Sequence, residues 1–159
     1  MRVLGVDPSS RKIGVTVFED GKPYWIDSVH LKSNDISQRC LDAFNWFQTL
    51  EDALPSTNES KVAFIEGTVV AGARNLQSTI KQAYVSGPIQ ACLLINGYDV
   101  SLVPIGTWKK LTVGTGNATK EQVSEFVRLR WPAVHASAGG NQDILDSCAI
   151  ASLPTECGG

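Results

Sequence analysis

An apolar segment that runs directly into a carboxylate constrains this chain more than any other feature. Residues 3–6 (Val-Leu-Gly-Val) have the length and character of a buried strand, and Asp7 follows them. The turn residues Pro8-Ser9-Ser10 come next, and a second apolar segment begins at Ile13. An ionised carboxylate at the end of a buried strand is costly unless it is paired or binds a metal. Asp7 is therefore either a turn cap, which suits Asp-Pro-Ser-Ser, or a functional acid.

Strand and helix patterns predict an α/β fold with a mixed five-stranded sheet flanked by helices. Strands over 2–8, 12–19 and 23–31 give an antiparallel start, with Asp20-Gly21 as a hairpin turn. A strand over 62–66 follows a helix, so we expect it to lie parallel to the first strand in the sheet interior. The last strand covers 99–103. Predicted helices cover 35–53 (capped by Asn34 or Asp35), 73–96, 107–111, 120–131 (capped by Thr119) and 141–153, where Pro154 ends the helix.

Composition and charge exclude several classes of protein. The 159 residues are 43% hydrophobic and 19% charged, as in globular proteins, and no apolar run is long enough to span a bilayer. We find no repeat or linker, which predicts one domain over 1–153 and a short tail over 154–159.

The four cysteines form no CxxC pair and no secretory signal is present, which predicts reduced thiols in a cytoplasmic protein. The net charge of −2 argues mildly against a protein that coats nucleic acid by charge alone.

Three more acids lie in contexts comparable to that of Asp7. Glu66 ends the predicted strand over 62–66, and Asp143 and Asp146 lie three residues apart on one face of the last helix. Acids in a first helical turn also interact favourably with the helix dipole, so this pair alone has an ordinary structural explanation. Four carboxylates brought together repel one another unless cations are bound. Their oxygens suit Mg²⁺ or Mn²⁺, and two such ions can promote phosphodiester hydrolysis.

Taken in order, several segments resemble the RuvC family of Holliday-junction resolvases, which have a ribonuclease-H-like fold. The segments are 5–14 (GVDPSSRKIG), the strand end Ile65-Glu66, and 143–151 (DILDSCAIA). The segment 108–123 (WKKLTVGTGNATKEQV) is similar to the family's basic stretch and is its most specific part. The resemblance covers residues 1–153. By position, the family's metal-binding catalytic acids correspond to Asp7, Glu66, Asp143 and Asp146. The resemblance implies that these acids hold two Mg²⁺ ions per site, with Mn²⁺ as a substitute.

The resemblance also implies roles for basic residues. Lys109 and Lys120 match two lysines of the family that contact DNA and support catalysis, with Lys110 as an alternative to Lys109. An aromatic residue that follows the strand-ending Glu in the family is missing from Gly67-Thr68-Val69-Val70. Val69 can make an apolar contact but cannot stack on a base, which predicts relaxed sequence preference. Candidates for one cationic, DNA-binding face are Arg11, Lys12, Arg74, Lys81, Lys109, Lys110, Lys120, Arg128 and Arg130.

The preferred interpretation is a Mg²⁺-dependent endonuclease that resolves four-way DNA junctions by paired symmetric nicks. The resemblance implies a homodimer, no membrane association, and 5′-phosphate product ends. The uneven match suggests a phage-type member acting in the host cytoplasm. Alternatives are a broader ribonuclease-H-like nuclease on branched or RNA-containing substrates, a non-catalytic junction-binding protein, and an ATP-binding actin-like or sugar-kinase-like domain. The last is disfavoured because the chain lacks room for a second lobe.

Overall fold

The structure, a computed structural model, describes residues 1–68 and 76–157, with the backbone alone for 156–157. The described strands form one five-stranded sheet in the order β3-β2-β1-β4-β5. Strands β1, β2 and β3 pair antiparallel, whereas β4 is parallel to both β1 and β5. The predicted mixed sheet, with the fourth strand in its interior, is confirmed. The strands are β1 (Arg2–Pro8), β2 (Lys12–Glu19), β3 (Lys22–His30), β4 (Lys61–Glu66) and β5 (Asp99–Val103).

Seven helices lie in the described part of the chain. Asp35 caps the first by accepting a hydrogen bond from the Gln38 N–H, and Thr119 forms a capping box with Gln122, so both predicted caps are confirmed. None of these helices is both long and apolar enough to cross a lipid bilayer. The helices are α1 (Ile36–Ala53), α2 (Leu76–Ile95), α3 (Ile105–Thr112), α4 (Lys120–Arg130), α5 (Pro132–Ala138), α6 (Gln142–Ala151) and α7 (Leu153–Cys157).

Two helical layers cover the two faces of the sheet. Side chains alternate along β1, so Leu4 lies in the core under α1 and α2 while Val3 lies in the core under α3 to α6. Phe47 of α1 and Ile89 of α2 fill the first core. The central strand is buried along its whole length. The two cores therefore hold the strand ends of β1 and β4 in a fixed place.

Two glycines allow α6 to lie unusually close to the sheet. A Cβ at Gly5 would be 2.1 Å from the main-chain oxygen of Ser147, and one at Gly14 would be 2.0 Å from that of Asp143. Thr16 and Ser147 also share a buried hydrogen bond of 2.8 Å across this contact. Because Gly14 pairs with Asp7 near the end of β1, the first turn of α6 lies beside that strand end.

Two helix predictions were wrong in detail. Residues 132–138 form α5, whereas the sequence pattern treated Trp131-Pro132 only as a helix stop. Proline is well tolerated at the first position of a helix, so it begins α5 as well as ending α4. The last predicted helix ends at Ala151 rather than 153, and Pro154 lies in the first turn of α7. The boundary between a domain and a tail at 153 stays a prediction, as do residues 73–75 of the second helix, which lie outside the described residues.

Candidate active site

The carboxyl ends of two neighbouring parallel strands bring Asp7 and Glu66 together. β1 and β4 are paired up to Val6 and Ile65, so the next residue of each strand is an acid at the same sheet edge. Asp7 is only 8% exposed and Glu66 is half-buried. A buried carboxylate pair of this kind is unfavourable without a compensating charge.

Helix α6 supplies the other two acids at the same edge. Its N-cap is Asn141, whose Oδ1 accepts a hydrogen bond from the Asp143 N–H at 3.0 Å. The Asn141 side-chain amide also donates to Ser28 Oγ at 3.0 Å, which ties the start of α6 to β3. Asp146 lies one turn further along α6, on the same face as Asp143.

The charges of these acids act on one another. Burial raises the pKa of Asp7 well above its usual value, and the charge and hydrogen bonding of Glu66 raise it further. The charges of Asp146 and Asp143 act in the same direction. The structure therefore brings all four sequence-predicted acids into one electrostatic cluster, where each disfavours the ionised form of Asp7.

The groups around Asp146 shift its pKa in opposite directions. The pKa of Asp146 is raised to about 6, chiefly by burial and further by the nearby charge of Glu66. Gln142 Nε2 donates to Asp146 Oδ1 at 2.7 Å, and this hydrogen bond lowers the pKa of Asp146. The positive charge of Lys109 also lowers it. Lys109 is thus close enough to the acid cluster to stabilise negative charge there.

A buried indole, that of Trp108, contacts Glu66. Trp108 of α3 is fully buried, and its Nε1–H donates to Glu66 Oε1 at 2.9 Å. One oxygen of Glu66 therefore has a protein donor on its inner side. The other acids of the cluster have no indole contact among the hydrogen bonds of the described residues.

The oxygen atoms of the acid cluster are suitable ligands for a divalent cation, but the side chains are not already arranged around an ion position. Within residues 1–68 and 76–157, no group of three or more His, Cys, Asp and Glu side chains is arranged to hold a metal ion. Four carboxylates nevertheless offer oxygen ligands alone, which is the donor set of Mg²⁺ and Mn²⁺. Burial is the largest cause of the raised pKa of Asp7, and repulsion by the neighbouring acids is the next; a bound cation would relieve that repulsion. The residues that would hold the ion are the four acids Asp7, Glu66, Asp143 and Asp146.

The three lysines predicted near the site have different surroundings. Lys109 Nζ is 5.7 Å from the centroid of the Trp108 ring, within cation–π range. Lys110 is exposed. Lys120 begins α4 and lines a cleft of about 460 Å³ together with Gln142. The structure therefore distinguishes Lys109, which lies beside the Trp108 ring, from the exposed Lys110, a choice that the sequence left open.

Two basic residues follow Asp7, Arg11 in the turn between β1 and β2 and Lys12 at the start of β2. Lys12 lines a cleft of about 530 Å³ that Asp143 also borders. Arg11 instead donates to the Ser33 carbonyl at 3.3 Å and to Asn34 Oδ1 at 2.8 Å. Lys12 is thus beside the acid cluster, while the guanidinium of Arg11 is held by the loop before α1.

The proposed single cationic face does not extend along the whole of α4. Arg128 forms an exposed ion pair with Glu125, and the guanidinium of Arg130 is 4.1 Å from the Phe126 ring centroid. These arginines lie eight and ten residues beyond Lys120, about 12–15 Å further along the helix axis. They are therefore separated from the acid cluster that the start of α4 approaches.

Three other predicted DNA contacts have less structural support. Lys81 is exposed near the start of α2. Val69 and Arg74 lie outside the described residues. Their roles stay predictions.

Sequence reasoning missed three residues that support the site. Gln142 contacts Asp146 as an i, i+4 helix pair, a spacing that can be recognised in a sequence. Arg39 is 3% exposed and donates to the Ser10 carbonyl at 2.9 Å, which holds the turn after the first acid. Trp108 reaches the site through tertiary packing and has no local signal of this role.

Comparison with known proteins places the chain in a family. The family model described as crossover junction endodeoxyribonuclease RuvC matches residues 3–152. The chain belongs to the RuvC family. It is 33% identical over 160 residues to RuvC of Cereibacter sphaeroides, covering 95% of this chain and 87% of that protein. RuvC of Ruegeria pomeroyi is 30% identical over 157 residues, with 95% and 88% covered. The resemblance predicted from sequence is confirmed, and the chain is an endonuclease of a metal-dependent family.

Solved structures of the RuvC family share the fold. The Thermus thermophilus RuvC structure has a TM-score of 0.68 at 16% identity and covers 98% of this chain and 94% of that one. T. thermophilus RuvC in complex with Holliday junction substrate has a TM-score of 0.65 at 18% identity, with 98% and 93% covered. The predicted ribonuclease-H-like fold is confirmed.

Proposed function

We propose that this chain resolves four-way DNA junctions as an endonuclease with two Mg²⁺ ions in each active site. The observation that carries the proposal is the convergence of four carboxylates at one sheet edge, where Asp7 is buried and its pKa is raised first by that burial and then by its acidic neighbours. Membership of the RuvC family supports the same reaction. The residues that would hold the ions are Asp7, Glu66, Asp143 and Asp146, and Mn²⁺ would serve as a substitute.

The chain's own groups prepare the phosphodiester for in-line attack by water. When bound, the ions supply Lewis acidity toward the attacking water and the leaving oxygen. Asp7 and Glu66 would fix the reaction centre because they lie at the carboxyl ends of strands held by two packed cores. Lys109, whose charge already acts on Asp146, would neutralise charge that develops on the scissile phosphate. The family resemblance implies 5′-phosphate and 3′-hydroxyl products.

Basic residues around the site would position the DNA backbone. Lys120 and Lys12 each line a cleft that borders α6, so a strand that crosses the acid cluster would pass within their reach. Val69 would make the apolar contact proposed beside the strand-ending acid. Further backbone contacts are proposed for Arg11, Arg74, Lys81 and Lys110.

A four-way junction requires two cuts, which favours a protein with two matched active sites. Such a junction is close to two-fold symmetric, and a C2 homodimer has the corresponding symmetry. One solved structure of similar fold is described as T. thermophilus RuvC in complex with Holliday junction substrate. We therefore propose that the active form is a homodimer bound to a four-way junction in the cytoplasm.

The exposed face of α2 is the proposed dimer surface. Apolar residues recur along it at helical spacing, and Tyr84 and Leu94 are each 59% exposed. A contiguous apolar face of this kind is typical of a protein–protein interface. The self-complementary contact of two antiparallel α2 helices would satisfy a two-fold axis. The face consists of Leu76, Ile80, Ala83, Tyr84, Gly87, Ala91, Leu94 and Ile95.

Relaxed sequence preference at the cut site is part of the proposal. The segment Gly67–Val70 contains no aromatic residue that could stack on a base. We expect junctions with different sequences at the crossover to be cut at similar rates. Sharp preference for one short consensus across such a panel would contradict this.

The test compares a labelled immobile four-way junction with a matched linear duplex, a Y-fork and an RNA–DNA hybrid. We expect paired symmetric nicks confined to the junction, in Mg²⁺ or Mn²⁺, that are lost in EDTA and in Asp7→Asn. Equally fast cutting of forks or hybrids would change the assignment to a broader nuclease. Tight junction binding without cutting in either ion would leave a binding protein.

A further inference from the structure

Trp108 is a core residue whose one polar atom reaches into the candidate active site. It is fully buried, and its Nε1–H donates to Glu66 Oε1 at 2.9 Å. An indole has a single donor and no acceptor, so a buried indole needs one acceptor for that donor. Here the acceptor is a carboxylate at the end of β4, 42 residues away in sequence.

The hydrogen bond from Trp108 fixes the plane of the Glu66 carboxylate, which packing alone leaves free to rotate. The terminal torsion of a glutamate is broad and nearly two-fold, so the carboxylate plane is poorly defined by the chain to which it is attached. A donor on Oε1 from inside the protein sets that plane. Groups that orient a metal ligand in this way affect metal affinity or activity by roughly 10–100-fold when they are removed.

The ring of Trp108 has a second neighbour of the same site. Lys109 Nζ lies 5.7 Å from the ring centroid, and an ammonium at that distance is attracted to the π face. The charge of Lys109 also reaches Asp146. One buried side chain therefore contacts both an acid and a cation of the cluster.

We propose that Trp108 is a positioning residue, which orients the Glu66 carboxylate through its indole N–H and restrains the Lys109 ammonium through its ring. The inference rests on the proposed function, because it assumes that Glu66 is a metal ligand. The N–H is the atom that matters for Glu66. A role in packing alone would depend on ring volume instead.

Trp131 provides a matched control for loss of an indole. It belongs to the same core layer as Trp108 and contacts Phe18 edge-on, with ring centroids 5.1 Å apart. Trp108→Phe and Trp131→Phe each remove one indole from this layer. Only the first removes a donor to Glu66. Urea unfolding of both variants would report how much stability each loses through packing.

The first experiment observes the hydrogen bond directly in the native chain. The sequence contains four tryptophans, so a ¹H–¹⁵N spectrum has at most four indole signals. The Trp108 signal is assigned as the one that persists in each of Trp25→Phe, Trp46→Phe and Trp131→Phe. We expect this signal alone to shift markedly during a Mg²⁺ titration without DNA, and to move upfield in Glu66→Gln, because an amide oxygen is a weaker acceptor than a carboxylate.

The second experiment measures how cleavage depends on Mg²⁺. We expect Trp108→Phe to raise the Mg²⁺ concentration for half-maximal junction cleavage by roughly 10-fold or more, with junction binding in Ca²⁺ unchanged. Trp131→Phe should leave this concentration within about twofold of native, since the ring contacts of Trp131 are with Phe18 and Phe126. If Trp108→Phe does not fold, the indole titration of the native chain still decides the question.

Failure of this inference differs from failure of the proposed function. If Glu66→Gln abolishes cleavage while the Trp108 indole responds neither to Mg²⁺ nor to Glu66→Gln, Trp108 is a packing residue and the function stands. An unchanged Mg²⁺ requirement in folded Trp108→Phe also overturns the inference. If Glu66→Gln cleaves like the native chain, the assignment of Glu66 as a metal ligand fails first.

Discussion

Asp7 carries a charge that the fold itself disfavours. Burial, and then the acids around it, raise the pKa of Asp7 above its usual value of 3.8. The folded state therefore holds this proton more tightly than the unfolded state does. Stability falls as pH rises through 3.8 toward the folded-state pKa, and the full penalty remains at higher pH. Above the folded-state pKa the cost of this charge is present in full unless a cation offsets it.

We expect Asp7→Asn to stabilise the protein while it abolishes cleavage. In EDTA at pH 7.5 the free energy of unfolding should rise by about 1–3 kcal/mol, because a buried charge and its repulsion are removed. Urea unfolding followed by circular dichroism measures this change. The difference should shrink in saturating Mg²⁺, which stabilises only the native acid cluster. A less stable variant in EDTA would contradict the electrostatic argument.

Lys109 and Lys110 are adjacent in sequence but differ in environment. The charge of Lys109 reaches Asp146 and its ammonium lies beside the Trp108 ring, whereas Lys110 is exposed. We expect Lys109→Gln to slow single-turnover junction cleavage by roughly 100-fold, as for loss of one group that stabilises transition-state charge. Lys110→Gln, the control, should stay within about threefold. Equal losses in the two variants would mean that the lysines act only by general attraction of DNA.

At the scale of elements, the approach of α6 to the sheet depends on glycine. A Cβ at Gly5 would overlap main-chain atoms of Ser147 and Ala151, at 2.1 and 2.4 Å, and main chain cannot rotate away as a side chain can. We expect Gly5→Ala to lower the free energy of unfolding by about 3 kcal/mol or more, measured by urea denaturation. Gly106→Ala is the control, since its nearest atom would be 4.0 Å away. A stability loss for Gly5→Ala as small as the control's would show that α6 can shift at low cost.

The elements themselves were largely predictable, because their signals are local. The five strands agree with the predicted ranges within a residue or so, and Asp20 and Gly21 adopt the positive φ angles of 49° and 78° that their hairpin turn requires. The start of α5 at Pro132 was missed, since one proline both ended a helix and began the next. Local patterns identify elements reliably but do not distinguish these two uses of proline.

At the scale of the whole molecule, the sequence indicated which acids would meet but not what surrounds them. Asp7 and Glu66 could be placed together because parallel strand ends share a sheet edge. The indole of Trp108 reaches Glu66 and the guanidinium of Arg39 reaches the turn after Asp7, through contacts that no spacing in the sequence encodes. The acids are thus fixed by topology, while their orientation is fixed by packing.

The apolar face of α2 would pair two copies of the chain. Leu94 lies on the apolar face of α2 and is 59% exposed, so Leu94→Glu would place a charge within the proposed dimer interface without disturbing the core. We expect this variant to sediment as a monomer at concentrations where the native chain is a dimer. Leu129→Glu, on α4 and 64% exposed, is the control and should sediment like the native chain.

Loss of the dimer should uncouple the two cuts on a junction. A supercoiled plasmid that extrudes a cruciform becomes linear when both nicks fall within one binding event, and becomes a nicked circle when they do not. We expect the native chain and Leu129→Glu to yield mainly linear plasmid, and Leu94→Glu to yield mainly nicked circles at a rate at least 10-fold lower, since a monomer has one active site and half the junction contacts. Linear product from a Leu94→Glu variant that remains dimeric would place the interface on another face of the molecule. Linear product from a variant shown to be monomeric would mean that two independent molecules suffice for resolution.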